Sequence, residues 1–338
     1  MSVRAVIFGC DGYELDAAEA AFFRAAKPWG FILFKRNCGS PDQVRRLTNA
    51  LRETVGREDA PILIDQEGGR VQRLRGDHWR ARPTAAAFGA LNRRDGDLAR
   101  GLTYDNARVM AAELHDLGIN VDCVPCIDVP VDGSHDIIGD RAFGRDPRIV
   151  ASLGQAVVDG MLDGGVLPVI KHLPGHGRAR ADSHLELPVV DTSRDELERT
   201  DFVPFRALAQ APLGMTAHVV YTDIDPDAPA TTSKLVIGEI VRGSIGFDGA
   251  LMTDDLGMRA LKGSCTERVR GAIAAGCDLV LHCNRDMDEM REVADATPVL
   301  SGKALERTER AMAALQRPKP YQVAEGQARV DGALAQVV

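Results

Sequence analysis

Between positions 171 and 184 the chain carries Lys171, His172, His176, Asp182 and His184, all within fourteen residues. Three imidazoles, an amine and a carboxylate at that density can hold and move protons at neutral pH, because a free imidazole titrates near ~6.5. Pro174, Gly175 and Gly177 make the segment a loop rather than a helix. The loop follows an apolar run at 167–170 that reads as a buried strand. Asp182 and His184 stand two apart, and an aspartate beside an imidazole can orient it and raise its basicity. The same groups could bind zinc, but Lys171 beside them would repel a cation, so no metal is expected.

Several elements must place these groups. Short apolar runs recur at 5–8, 31–34, 61–64, 120–124, 167–170, 213–217, 250–253 and 279–282. Near-continuous apolar runs suit parallel strands covered on both faces. Helix signals fill the gaps. Ser40-Pro41-Asp42-Gln43 is a capping box with proline in the first turn, and 103–117 is helix-like up to Gly118. A box at 193–196, a helix at 269–275 stopped by Gly276 and an amphipathic stretch at 307–315 follow. Eight strands alternating with helices predict a single (β/α)8 TIM-type barrel, with long strand-to-helix segments after the third, fourth and fifth strands. The runner-up is an open doubly wound sheet; no GxGxxG opens a first helix, so a dinucleotide site has little support.

A barrel would gather the groups just past each strand at one mouth. Those groups are Lys35 and Arg36; Asp65, Glu67, Arg70 and Arg73; Asp140 and Arg141; Lys171 and His172; His218; Asp254 and Asp255; and His282. Carboxylates beside guanidinium and ammonium groups suit a polyhydroxylated substrate. Glycoside cleavage needs a carboxylate at the anomeric carbon and a proton donor at the leaving oxygen.

Bulk properties agree. The 338 residues are 45% hydrophobic and 27% charged, enough for an ordinary core. A net charge of -8 argues against nucleic acid or an anionic membrane as partner. The first apolar run is too short for a signal peptide, and no run reaches membrane-spanning length, so a soluble cytoplasmic protein is expected. Seven scattered cysteines fit free thiols in a reducing compartment. Cys123 and Cys126 have ligand spacing, but no second pair accompanies them, and a structural role is expected.

From about residue 5 to 316 the chain resembles glycoside hydrolase family 3. The resemblance rests on PWGFILF at 28–34, IDQEGGRVQR at 64–73, GDRAFG at 139–144, KHLPGHG at 171–177, DSH at 182–184, MTAH at 215–218 and TDDLGM at 253–258, in that order. It is closest to the compact bacterial β-N-acetylglucosaminidases of peptidoglycan recycling. It implies Asp254 as the nucleophile of a glycosyl-enzyme mechanism, His184 as the acid/base on a mobile loop, and Asp182 as its partner. It implies that Asp65, Arg73, Arg141, Lys171 and His172 bind the terminal N-acetylglucosamine. His176 and Gly175 would shape the loop, and Arg70 and His218 would be structural. Leu173 stands where the family more usually has phenylalanine, and Thr253 and Gly257 where serines are common. Relatives acting as β-glucosidases take a carboxylate acid/base from a further domain; here the 182–184 loop would supply the proton instead.

The implied activity is a cofactor-free, retaining exo-β-N-acetylglucosaminidase acting on muropeptide fragments, as a monomer or weak homodimer. The implied organisation is a catalytic barrel at 1–317 and a tail at 318–338. Alternatives are a phosphorylase in the same mould, assistance by the substrate's own acetamido group, and a non-catalytic sugar-binding barrel.

Overall fold

The structure is a computed structural model that describes residues 2–183 and 186–335. Eight strands, β1 (Arg4–Gly9), β2 (Pro28–Leu33), β3 (Ile62–Ile64), β4 (Val121–Asp122), β5 (Leu167–Leu173), β6 (Leu213–Thr216), β7 (Ala250–Asp255) and β8 (Leu279–His282), close into a barrel. Each pairs in parallel with the next in the chain, and β8 closes onto β1 with Val6 opposite Val280. This is the (β/α)8 architecture that the apolar runs predict.

Alternation along the strands explains why both faces are apolar. Ile7, Ile32, Leu63, Val121, Val169, Leu213, Met252 and Leu281 share the barrel interior. Val6, Phe31, Ile62, Ile170, Leu251 and Val280 belong to the layer between barrel and helices. Continuing the same period, the inward positions at the strand ends are Asp65, Lys171, Met215 and Asp254. Apolar packing thus gives way to Asp65, Lys171 and Asp254 at this end of the barrel.

Caps fix the helices. α1 (Ala17–Ala26) starts at Asp16. α2 (Pro41–Val55) starts at Ser40, which accepts from the Gln43 amide, and ends at Gly56 in the left-handed region. α3 (Ala85–Asn92) precedes α4 (Gly96–Asp116), which starts before residue 103 because Asp95 caps it by accepting from the Leu98 amide. α5 (Pro147–Asp163) packs along α4, and α6 (Arg194–Arg199) and α7 (Phe202–Ala207) follow β5. α8 (Cys265–Ala275) has a capping box at Ser264, and α9 (Met287–Ala296) and α10 (Gly302–Ala313) complete the ring. α11 (Val323–Leu334) lies against α4. Arg329 donates twice to Asp105 at 2.8 and 2.9 Å, and Arg82 donates to Gln327 at 2.6 Å.

Two loop devices matter for the site. After β3 the chain makes a small antiparallel hairpin of residues 66–68 and 71–72. Gly68 has φ +100°, and a side chain there would strike the Pro83 carbonyl, so only glycine lets the hairpin lie so close. After β5, the loop from Pro174 runs against the segment at 128–129. A Cβ on Gly177 would collide with the Val129 backbone.

Candidate active site

An alternating chain of charges spans the barrel mouth. Arg73 pairs with Asp65 at 2.9 Å, and Asp65 pairs with Lys171 Nζ at 2.8 Å. Lys171 also reaches Glu67 at 2.6 Å, and Glu67 takes two parallel bonds of 2.9 Å from Arg141. Three cations flank two anions, and the Lys171 side chain is only 2% exposed. Burial would push both carboxyls up, but Lys171 and Arg73 hold Asp65 far below the usual range. Arg141 and Lys171 likewise hold Glu67 at about 2. Burial pushes against the Lys171 ammonium, and the two carboxylates outweigh it, so Lys171 stays charged.

Beside this chain, at the end of β7, lies Asp254. It lines a cavity of about 270 Å3 shared with Asp65, Arg73, Arg141, Lys171 and His172. Its neighbour Asp255 has another role. Asp255 accepts from the amides of Gly257 and Cys283, both at 3.0 Å, and so ties β7 to β8. Burial raises the Asp254 carboxyl, but the His172 and His218 imidazoles and the Asp255 amide bring it below its ordinary value. It is therefore a bare carboxylate at neutral pH.

Asp128 holds the loop after β5 from beneath. One oxygen accepts from the amides of His172, at 3.2 Å, and His176, at 2.6 Å. The other accepts from His172 Nδ1 at 2.6 Å and from the Cys126 thiol at 3.2 Å. Cys126, Asp128 and His172 thus bring a thiol, a carboxylate and an imidazole within 4.8 Å. Four donors already occupy the carboxylate, so the trio is a hydrogen-bonded network. Burial pushes His176 down to about 4, which leaves it neutral, and its Nε2 lies 3.3 Å from the Ser183 hydroxyl. Tyr221 donates to the Gly175 carbonyl at 2.5 Å and pins the loop from the other side.

The structure brings Asp65, Arg73, Arg141, Lys171, His172 and Asp254 to one cavity. Ser183 lines it as well, with Asp182 next in the chain, while His184 lies outside the described residues. Arg70 pins the 136–140 segment, pairing with Asp140 at 2.9 Å and with Asp136 at 3.1 Å. His218 is buried between Thr231, at 2.7 Å, and the Asp255 carbonyl, at 3.0 Å. Besides His218 and Asp255, two further mouth expectations need correction. His282 does not reach the mouth: it shares the outward side of β8 with Val280 and meets the Phe8 ring edge-on at 6.1 Å. Arg36 is tied to the Cys10 and Cys283 carbonyls at 2.9 and 2.7 Å, and it fastens strand ends instead of facing a substrate. Sequence reasoning placed Glu67 at the mouth without giving it a binding role, and it did not single out Asp128. Glu67 sits in the IDQEGGRVQR run and could have been found there; Asp128 is a lone acid with partners only in three dimensions.

Comparisons with known proteins place this geometry. Residues 16–317 match the family model described as glycosyl hydrolase family 3 N terminal domain. A β-hexosaminidase of Alkalilimnicola ehrlichii is 44% identical over 82% of this chain and 80% of its own length. NagZ of Neisseria gonorrhoeae, solved in complex with N-trifluoroacetyl-D-glucosamine, superposes with a TM-score of 0.89, with 32% identity over 99% of both chains. A family 3 β-N-acetylglucosaminidase from a Paenibacillus species gives 0.85 with 31% identity, over 97% of this chain and 66% of that one. The chain belongs to glycosyl hydrolase family 3. No helix among the described residues is long and apolar enough to cross a membrane.

Proposed function

We propose that this β-N-acetylhexosaminidase is a retaining exo-enzyme that removes terminal β-linked N-acetylglucosamine from N-acetylglucosaminyl-1,6-anhydro-N-acetylmuramyl saccharides and peptides. The observation that carries the reading is Asp254. It is an ionised carboxylate facing a cavity whose other walls are the Asp65–Lys171–Glu67–Arg141 charge chain and His172. Those groups donate to and accept from sugar hydroxyls and fix the ring against the nucleophile.

In the first step an Asp254 oxygen attacks the anomeric carbon. The bond to the leaving oxygen breaks, and that oxygen takes a proton from His184. In the second step His184 takes a proton from water, the hydroxide attacks the same carbon, and the Asp254 ester is released. Asp182 orients the imidazole. Double displacement retains the β configuration. The seven cysteines are all free thiols, which supports a cytoplasmic site of action.

Turnover of an aryl N-acetylglucosaminide against the matching aryl glucoside tests the substrate class. The glucoside should be poorer by roughly 100-fold or more, and equal rates would overturn the assignment. His184→Ala should slow substrates with poor leaving groups far more than activated aryl glycosides, because only the former need a proton. Equal losses on both would remove His184 from the acid role. Product analysis with and without phosphate should give free N-acetylglucosamine in both cases; a sugar 1-phosphate would mean phosphorolysis.

A further inference from the structure

Asp128 takes no part in the scheme above, yet it is fully buried and accepts four hydrogen bonds from three residues. A carboxylate accepts and does not donate, so the His172 nitrogen 2.6 Å away must be the protonated one. Nδ1–H therefore points down at Asp128, and the opposite ring edge, with Nε2, is turned to the cavity that His172 lines. The other Asp128 oxygen fastens the backbone on either side of Pro174, at His172 and His176.

We infer that Asp128 is the positioning residue of the sugar pocket: it fixes the proton on His172 Nδ1, sets the plane of that ring, and anchors the end of β5, which carries Lys171 and His172, together with the loop that follows. It touches no substrate and acts through His172. The inference rests on the proposed glycosidase reading for its kinetic consequence, but its consequence for the imidazole proton is independent of any activity.

Asp128→Asn is nearly isosteric and separates the two functions. The Asn carbonyl can still accept from the backbone amides, while its amide nitrogen then faces His172 Nδ1 as a donor. Nδ1 must become an acceptor, and the proton moves to Nε2. A ring presenting the wrong edge to the sugar should cost roughly 100-fold in kcat/KM on an aryl N-acetylglucosaminide.

The test is a double-mutant cycle with His172→Ala. If Asp128 acts through His172, Asp128→Asn should add less than about threefold to the loss already caused by His172→Ala. Fully additive losses would overturn the inference and make Asp128 a general structural anchor. A second measurement needs no variant of Asp128. Nitrogen-15 NMR of histidine-labelled native protein should show a proton on His172 Nδ1, and an unprotonated Nδ1 would overturn the inference even where Asp128→Asn fails to fold. An inactive native enzyme with a protonated Nδ1 would instead count against the glycosidase reading and leave the placement of the proton intact.

Discussion

Lys171 stands between Asp65 and Glu67 with almost no contact with water. Removing one partner of a buried ion cluster leaves the others uncompensated, which typically costs about 3–5 kcal/mol. Lys171→Met should therefore lower the free energy of unfolding by about that amount in urea titration, besides abolishing turnover; a loss under about 1 kcal/mol would mean that the Arg73 and Arg141 guanidiniums neutralise the carboxylates unaided. Acid should act on the same cluster. Glu67, held at about 2 against an ordinary 4.5, contributes stability that is fully present above pH 4.5 and lost as the pH falls through about 2. Asp122 works in the opposite sense. Burial pushes its carboxyl to about 8 from an ordinary 3.8, and its Oδ2 has no hydrogen-bond partner among the described residues. Between those values the native protein keeps a proton that the unfolded chain has lost, so stability falls as the pH rises. Asp122→Asn should thus raise the melting temperature more at pH 8 than at pH 5; equal shifts at both would contradict a protonated Asp122.

At the level of elements, the site depends on close backbone approaches as much as on side chains. Gly177→Ala would drive the loop after β5 off the Val129 backbone. It should reduce kcat/KM by roughly 100-fold while far-ultraviolet circular dichroism stays native, since the barrel strands are untouched. An unchanged kcat/KM would show that this contact does not set the loop. The eight strands were legible because both of their faces are buried, which leaves continuous apolar runs. The strand limits were less so. Regular pairing in β4 covers only Val121–Asp122, because the chain then bends into the long segment that carries Asp128 and Arg141. The 66–72 hairpin was not legible: its residues lack apolar alternation, and it is held by Gln66, whose Oε1 accepts from the Arg73 and Leu74 amides at 3.0 and 3.1 Å. His282 was assigned to the wrong face because its residue type alone does not say to which side of a strand it points.

Taken whole, the molecule is a barrel whose interior turns from aliphatic to ionic at the ends of β3, β5 and β7, where Asp65, Lys171 and Asp254 stand. That change of character was readable, since the polar residues cluster just past each apolar run. α11 was not, because only Gly326 and Val330 of it are buried, which leaves no apolar stripe to read. It is held by long-range pairs such as Arg329 with Asp105 and Arg80 with Asp331, which leave no periodic trace in sequence. The choice of Asp254 over Asp255 became physical only with the fold, where Asp255 is occupied by the Gly257 and Cys283 amides and Asp254 faces the cavity. The central claim is a covalent sugar ester on Asp254. It is tested most directly by incubating the enzyme with a slow fluorinated N-acetylglucosaminyl donor, digesting it and mapping the modified peptide by mass spectrometry. One sugar per chain is expected on Asp254; rapid turnover of ordinary substrate with no adduct, or an adduct on Asp255, would contradict the covalent role of Asp254.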